Sequence, residues 1–156
     1  MSDVKETDIW LEDFLTGLLG RMDLDVWVAQ MDIDEDTRTF TAILDGKDKA
    51  RIIGRDGQVL DAIQYLAVSA AANDGIFKDR LVVDVDDYRE RRDSRIEEET
   101  QEAIRTVIAT GNAANLSPMN SRDRRLVHMI VSNVEGVTTE SAGEGDDRYV
   151  RLIPAR

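Results

Sequence analysis

The stretch RIIGRDGQVLDAIQYLA, residues 51–67, determines how this chain is organised, because it places a Gly-x-x-Gly turn directly before a long apolar helix. Gly54 and Gly57 let the backbone adopt dihedral angles that a side chain would forbid, and they allow a partner to approach closely. Free N–H groups at the start of the following helix favour an anion. Four cations precede the turn or lie in it: Lys47, Lys49, Arg51 and Arg55. These features predict a cradle for a sugar-phosphate backbone; the alternative is an ordinary helix connection with surface lysines.

The sequence around the turn predicts a mixed unit of helices and strands. Apolar residues at helical spacing indicate helices over residues 9–22 and 58–72, with a short helical segment at 49–53. Alternating or compact apolar runs indicate strands at 26–33, 39–44 and 81–85. In the first strand we expect Trp27, Ala29, Met31 and Ile33 to share one face. In the long helix we expect this buried stripe: Val59, Leu60, Ile63, Leu66, Ala67 and Ala70.

The second half of the chain predicts a connecting helix followed by a small separate unit. The helix runs from residue 88 to about 109 and is charged in its first half, so we expect it to bury mainly its C-terminal half. Beyond Gly111 we expect a loop over residues 112–118 and then a helix capped by Asn120 or Ser121. Strands at 137–141 and 148–153 flank a glycine-rich tip. The predicted domains are therefore residues 1–87, 88–111 and 112–156.

An Arg-x-x-x-His pair lies in the last predicted helix. Arg124 and His128 are four residues apart and so share one helix face. By itself this spacing favours a hydrogen-bonded helix histidine beside a solvated arginine. A single histidine in a chain without cysteine makes a poor transition-metal site, and no nucleophile or carboxylate partner is identifiable for catalysis. We therefore expect no metal, no cofactor and no enzymatic activity.

The overall charge of −12 argues at first sight against a nucleic-acid ligand, because phosphates need cations. The charge is uneven, however. Residues 1–36 hold eleven acidic and two basic residues and carry −9, so the rest of the chain carries only −3. Cationic surfaces can therefore exist locally. Without cysteine, without a bilayer-length apolar run and with a polar start, the sequence predicts a cytoplasmic protein that does not insert into membranes.

Three separated motifs resemble one known family. The stretch at residues 51–67 looks like the GXXG signature of a KH domain. DVDDYRERRDSRIEE is followed by SPMNSRDRRLVHMIV and ESAGEGDDRYVRLIP, and together they are similar to the Jag family, also called KhpB. The resemblance implies an α+β fold. It combines a type II KH domain (helix-strand-strand-helix-GXXG-helix-strand), a linking helix and a small α+β R-3-H (Arg-x-x-x-His) domain.

The resemblance implies a non-catalytic protein that binds single-stranded RNA and regulates gene expression linked to cell growth, shape and division. Single-stranded DNA is an alternative ligand. A further alternative is a protein-interaction adaptor that pairs with a small single-KH protein or associates with a membrane insertase. The predicted KH contacts are Lys49, Arg51, Ile53, Gly54, Arg55, Asp56, Gly57 and Val59. The predicted contacts of the second domain are Arg122, Arg124, Arg125, His128 and Arg148.

Asp56 departs from the family pattern, in which a basic or neutral residue usually occupies this place in the turn. A carboxylate there repels phosphate by roughly 1–4 kcal/mol, depending on the local dielectric. We expect Asp56 to cap the following helix or to serve as its first-turn acid. We therefore predict modest RNA affinity at this turn, with Lys49, Arg51 and Arg55 offsetting the acid.

Overall fold

The apolar patterns on the two sides of residue 88 form two separate hydrophobic cores in the computed structural model of the chain. It describes residues 2–76 and 78–155. Met1, Phe77 and Arg156 lie outside the described residues, and with them the predicted domain limits at residues 1 and 156. A first unit ends at Tyr88 and a second begins at Arg89. In both units helices pack on a sheet, which confirms the predicted α+β class.

The first unit has the predicted order of helix, strand, strand, short helix, glycine turn, long helix and strand. Its elements are α1 (Ser2–Arg21), β1 (Val26–Asp34), β2 (Thr39–Gly46), α2 (Lys49–Ile53), a 3₁₀ turn (Arg55–Gly57), α3 (Gln58–Asn73) and β3 (Arg80–Val85). The sheet order is β1-β2-β3, with β1 antiparallel to β2 and β2 parallel to β3. This arrangement places the glycine turn at the start of α3.

The core of the first unit lies between α1, α3 and one face of the sheet. Its fully buried side chains include Leu11, Leu15 and Leu19 from α1, Leu60 from α3, and Phe40, Leu44 and Val83 from the sheet. Truncating one such leucine to alanine removes about 2–5 kcal/mol of stability, because a cavity adds to the lost transfer energy. The glycine turn therefore adjoins a helix, α3, that is fixed by a well-packed core.

Strand β1 differs from the predicted alternation. The pairing with β2 shifts between Val28 and Gln30, so Ala29 forms a β-bulge. Before the bulge it is Val26 and Val28 that face the core, and Trp27 is 52% exposed. The prediction that Trp27 and Ala29 share a face with Met31 was wrong, because one extra residue switches the side of the sheet.

Helix α3 also buries a different stripe from the predicted one. Leu60, Ile63, Ala67 and Ala71 are buried, whereas Leu66 is 46% exposed. Apolar residues also lie on the exposed side of the helix, so its periodicity does not single out the face that meets the sheet. Placing Leu66 in the core was therefore wrong.

The second unit packs two helices with a three-stranded antiparallel sheet. Its elements are α4 (Tyr88–Thr110, which starts at the last residue of the first unit), β4 (Ala114–Asn115), α5 (Ser121–Ser132), β5 (Val137–Ala142), a 3₁₀ turn (Gly145–Asp147) and β6 (Tyr149–Pro154). The order is β4-β6-β5. Strand β4 lies inside the region predicted as a loop, since two residues are too few to show alternation. Asn120 caps α5 as predicted, accepting a 2.9 Å hydrogen bond from the Asp123 amide.

Helix α4 belongs to the core of the second unit along much of its length. Ile96, Ala103, Ile104 and Val107 are buried there with side chains of α5 and the sheet. The charged first half conceals the sparse apolar stripe, which is why the sequence predicts a separate connecting segment over residues 88–111. Within the two described ranges, no helix is both long and apolar enough to cross a membrane.

Candidate nucleic-acid interfaces

The Gly54–Gly57 turn requires both of its glycines. Gly54 has φ 69° and ψ −168°, and a Cβ atom there would collide with the side chain of Val59. Gly57 has φ 80°, and a Cβ atom there would lie 2.8 Å from Cε1 of Tyr88. Left-handed backbone and missing space therefore coincide at each position, so any side chain would displace the turn.

Asp56 occupies the turn for a backbone reason. Its φ is 52° and its ψ is 28°, which is the left-handed region that Asp and Asn tolerate better than most residues. The N-cap residue of α3 is Gly57, which has no side chain with which to cap the helix. The expectation that Asp56 occupies the N-cap of α3 was therefore wrong, and Asp56 is instead an acid of the 3₁₀ turn that leads into the helix.

The cations just before the turn are paired with acids. The Lys49 ammonium lies 2.7 Å from Asp86 Oδ2 and 3.3 Å from Asp45 Oδ1, and these hydrogen bonds, Asp86 first, raise the pKa of Lys49. Arg51 lies 3.6 Å from Asp48. An RNA phosphate at Lys49 or Arg51 would compete with a carboxylate that is already in place.

The apolar residues beside the turn divide into two kinds. Ile52 and Leu60 are fully buried and belong to the core. Ile53 and Val59 are only half-buried, and Arg55 is exposed. Among the residues beside the turn, the half-buried Ile53 and Val59 and the exposed Arg55 are therefore the ones whose side chains can reach a ligand.

The second unit brings all five predicted residues of its site around one open groove of about 550 Å³. Two serines from the start of α5 and from β5 complete the lining. The residues are Ser121, Arg122, Arg124, Arg125, His128, Ser141 and Arg148. The α5 helix supplies one wall, and β5 with Arg148, the residue just before β6, supplies the other. We call this the arginine groove.

Two arginines of the arginine groove are available to an anion. Arg125 and Arg148 are exposed, and within residues 2–76 and 78–155 neither has a carboxylate partner. Arg124 donates one guanidinium hydrogen bond, of 2.8 Å, to the Met119 carbonyl. That bond fixes the arginine without neutralising it, so all three side chains keep their positive charge for a ligand.

Arg122 is different, because its guanidinium is held by two acids. It lies 2.8 Å from Asp93 Oδ2 and 3.3 Å from Asp123 Oδ1. Asp123 is fully buried and also accepts a 2.9 Å hydrogen bond from Arg92. Burial raises the pKa of Asp123 despite these cations. Arg122 therefore serves chiefly to compensate a buried carboxylate.

His128 is held by two hydroxyl groups of β5. Its Nδ1 lies 2.7 Å from Thr139 Oγ1, and its Nε2 lies 3.0 Å from Ser141 Oγ. Burial first, and then the neighbouring Arg124 charge, lower the pKa of His128 from 6.5. The imidazole is therefore neutral at pH 7, and it links α5 to β5 in the arginine groove.

Sequence reasoning missed several of these partners. Thr139 and Ser141 are two residues apart on one strand, so they lie on one face of it, and this spacing was an available signal. The contact between Tyr88 and Gly57 and the pairing of Asp123 with Arg92 join distant parts of the sequence, and no local pattern indicates them.

Comparison with known proteins matches both units. Residues 10–85 match the family described as "KhpA/KhpB, KH domain", and residues 94–154 match the R-3-H domain family. The chain is similar to the RNA-binding protein KhpB of Lactiplantibacillus plantarum, with 37% identity over 78% of this chain and 38% of that protein. It is 28% identical to RNA-binding protein KhpB of Streptococcus pneumoniae (serotype 2), over 95% of this chain and 44% of that protein. It is 32% identical to RNA-binding protein KhpB of Clostridium symbiosum, over 88% of this chain and 62% of that protein.

The chain thus combines a KH domain with a following R-3-H domain, and this pair of domains defines its class. The order and spacing agree with the three motifs quoted above. The chain belongs to the Jag family, also called KhpB. It spans less than half the length of the Lactiplantibacillus and Streptococcus relatives.

Proposed function

We propose that this protein binds single-stranded RNA without catalysis and regulates gene expression linked to cell growth, shape and division. The observation that carries the proposal is the arginine groove, in which Arg125 and Arg148 are exposed and unpaired within the described residues, while Arg124 is anchored beside them. The relatives' name, RNA-binding protein, supports the choice of ligand.

The arginine groove is the main phosphate site in this proposal. A guanidinium can bridge phosphate oxygens in two-pronged fashion or stack on a base, and both modes suit an unpaired strand. Its fixed position beside the Met119 carbonyl lets Arg124 bind with little further loss of side-chain freedom. His128 contributes shape rather than charge, because its ring is neutral at pH 7.

The Gly54–Gly57 turn is the second contact. Val59 and Tyr88 fill the spaces that side chains at Gly54 and Gly57 would occupy, so the glycines set the shape of the turn, and the positive end of the α3 dipole favours a phosphate beside it. The half-buried Ile53 and Val59 offer apolar contacts to bases. Because both contacts belong to one chain, binding at one raises the effective concentration at the other.

A protein partner is a second candidate, favoured by the exposed side of α3. Tyr65 is 71% exposed, Leu66 46% and Val68 45%. We propose that this face supports pairing with a small single-KH protein in the cytoplasm. Size-exclusion chromatography of the mixed proteins tests it: Leu66→Glu should abolish co-elution, and co-elution that survives this change contradicts the pairing.

Fluorescence polarisation with one sequence prepared as single-stranded RNA, single-stranded DNA and duplex RNA tests the proposed ligand. We expect tightest binding to single-stranded RNA and weakest binding to the duplex, since bases in a duplex cannot reach the turn. Crosslinking in cells, followed by sequencing, identifies the bound RNAs. Equal affinity for the duplex and the single strand would overturn the proposal. Tighter binding to DNA than to RNA would make single-stranded DNA the ligand in place of RNA.

A further inference from the structure

Tyr88 lies against the glycine turn and was not among the predicted site residues. Gly57 is buried, and the space that its side chain would occupy is filled by the tyrosine ring: a Cβ atom would lie 2.8 Å from Cε1 and 3.2 Å from the hydroxyl. The ring is half-buried and also packs against the first core. Tyr88 therefore connects the turn to the rigid part of the unit.

Asp86, two residues earlier, contacts the other end of the same segment. Its carboxylate lies 2.7 Å from the ammonium of Lys49, which is the first residue of α2. The segment 49–57 comprises α2 and the glycine turn. It is thus contacted at its start by Asp86, from the connection between β3 and α4, and at its end by Tyr88, the first residue of α4.

The backbone of this connection is unusual. Asp86 has φ 50° and Asp87 has φ 52°, so two consecutive residues other than glycine are left-handed. Such residues persist only where the surrounding contacts determine the conformation. The Asp86–Lys49 ion pair and the Tyr88–Gly57 contact act on the two sides of this strained pair.

We propose that Tyr88 is a positioning residue for the Gly54–Gly57 turn, and that the flat ring holds the turn in the shape that receives a nucleic-acid backbone. The inference rests on the proposed function of the turn. A turn that is already ordered loses less freedom on binding than a mobile one, so the brace raises affinity without touching RNA.

The test compares Tyr88→Ala with Tyr88→Phe, which keeps the ring, in the full chain. Tyr88→Ala should raise the Kd for a single-stranded RNA about fivefold and lower the ¹⁵N order parameters of Gly54 and Gly57. Tyr88→Phe should stay within about twofold of wild type in Kd. Met31→Ala is the matched control, because it truncates another side chain packed on the same core, from β1.

Unchanged order parameters and unchanged affinity in Tyr88→Ala would overturn the inference. So would Met31→Ala reproducing both effects, since general loosening of the core would then explain them. Tyr88→Leu, which keeps apolar packing without a flat ring, replaces the alanine variant if that variant unfolds and carries the same expectation. If wild type fails to bind RNA, the proposed function falls, while the order parameters still decide whether Tyr88 braces the turn.

Discussion

The cations near the glycine turn and those of the arginine groove look alike in sequence but differ in their surroundings. Lys49 and Arg51 each lie within 4 Å of an aspartate carboxylate. Arg125 and Arg148 have no such partner within the described part of the chain. Positive charge alone therefore does not identify the phosphate site. The acids beside each cation decide how much of its charge a ligand meets.

The comparison reconciles a strongly acidic protein with the proposed RNA ligand. Exposed ion pairs are weak and screened by salt, so the aspartates near the turn reduce phosphate binding there without abolishing it. Arg125 and Arg148 of the arginine groove meet no such competition within the described residues. We infer that electrostatic affinity comes mainly from the second unit, while the glycine turn contributes backbone shape and contact.

The largest expected effect follows removal of the two unpaired arginines. Arg125→Ala/Arg148→Ala should weaken single-stranded RNA binding about 10- to 100-fold at low salt, because each of the two exposed contacts contributes roughly 0.7–1.4 kcal/mol and about 1.4 kcal/mol is tenfold. Fluorescence polarisation measures the change. Arg105→Ala is the control, since Arg105 is an exposed arginine of α4 that is paired with Glu102. Equal losses in both variants would contradict a specific site in the groove.

Arg122 and Arg125 both line the groove, but removing Arg122 should lower stability rather than RNA affinity. Arg122→Ala leaves the buried Asp123 with Arg92 as its cationic partner, so the free energy of unfolding should fall by about 1–3 kcal/mol. RNA affinity of the folded protein should change by less than about threefold. Urea denaturation and polarisation separate the two quantities. A large loss of affinity at full stability would show that Arg122 contacts RNA directly.

Removing some of the acids beside the cations near the turn should tighten binding modestly. Asp45→Asn/Asp48→Asn removes one carboxylate charge beside Lys49, which keeps Asp86, and one beside Arg51, while keeping side-chain oxygens for the amides of Gly46 and Asp25. We expect about a threefold lower Kd at low salt, and a smaller gain as salt increases. Asp8→Asn/Asp13→Asn, both on α1, controls for the change of two units in net charge. An equal gain from that control would show a general charge effect.

The smallest expected effect concerns pH and His128, the only histidine of the chain. Its pKa is lowered in the folded state by burial and Arg124, so the neutral form is favoured there. The stability that this provides is present above the unfolded pKa of about 6.5 and is lost as pH falls through the folded value. Proton NMR should give one imidazole titration below pH 6.5, with RNA affinity unchanged between pH 7 and 8. A midpoint above 6.5 would contradict the description of the site.

Local chemistry explains which features the sequence could predict. The α2 bounds, the glycine turn and the Asn120 cap depend on neighbouring residues, and the structure agrees with the sequence there. The bulge at Ala29 breaks alternation with no glycine or proline to signal it, so the predicted face of β1 failed. Which cations are paired depends on contacts such as Lys49 with Asp86, which adjoin only after folding.

Membership of one site could be predicted more readily than the roles within it. Helical spacing grouped Arg124 and His128 on one face with Arg125 nearby, and the structure places all three at one groove. It could not show that Arg122 compensates Asp123, because that carboxylate's burial is set by packing against α4. The individual roles of the predicted contacts therefore stay predictions until binding is measured.

The salt dependence of RNA affinity tests the central claim most directly. The logarithm of the binding constant is plotted against the logarithm of salt concentration for wild type, Arg125→Ala/Arg148→Ala and Lys49→Ala/Arg51→Ala. Each phosphate contact on a single strand contributes roughly 0.7 to the slope, so the first variant should flatten it by roughly 1.4. The second should change it by less than about 0.5, because its cations are already paired. A flatter slope in the second variant, with an unchanged slope in the first, would contradict the account.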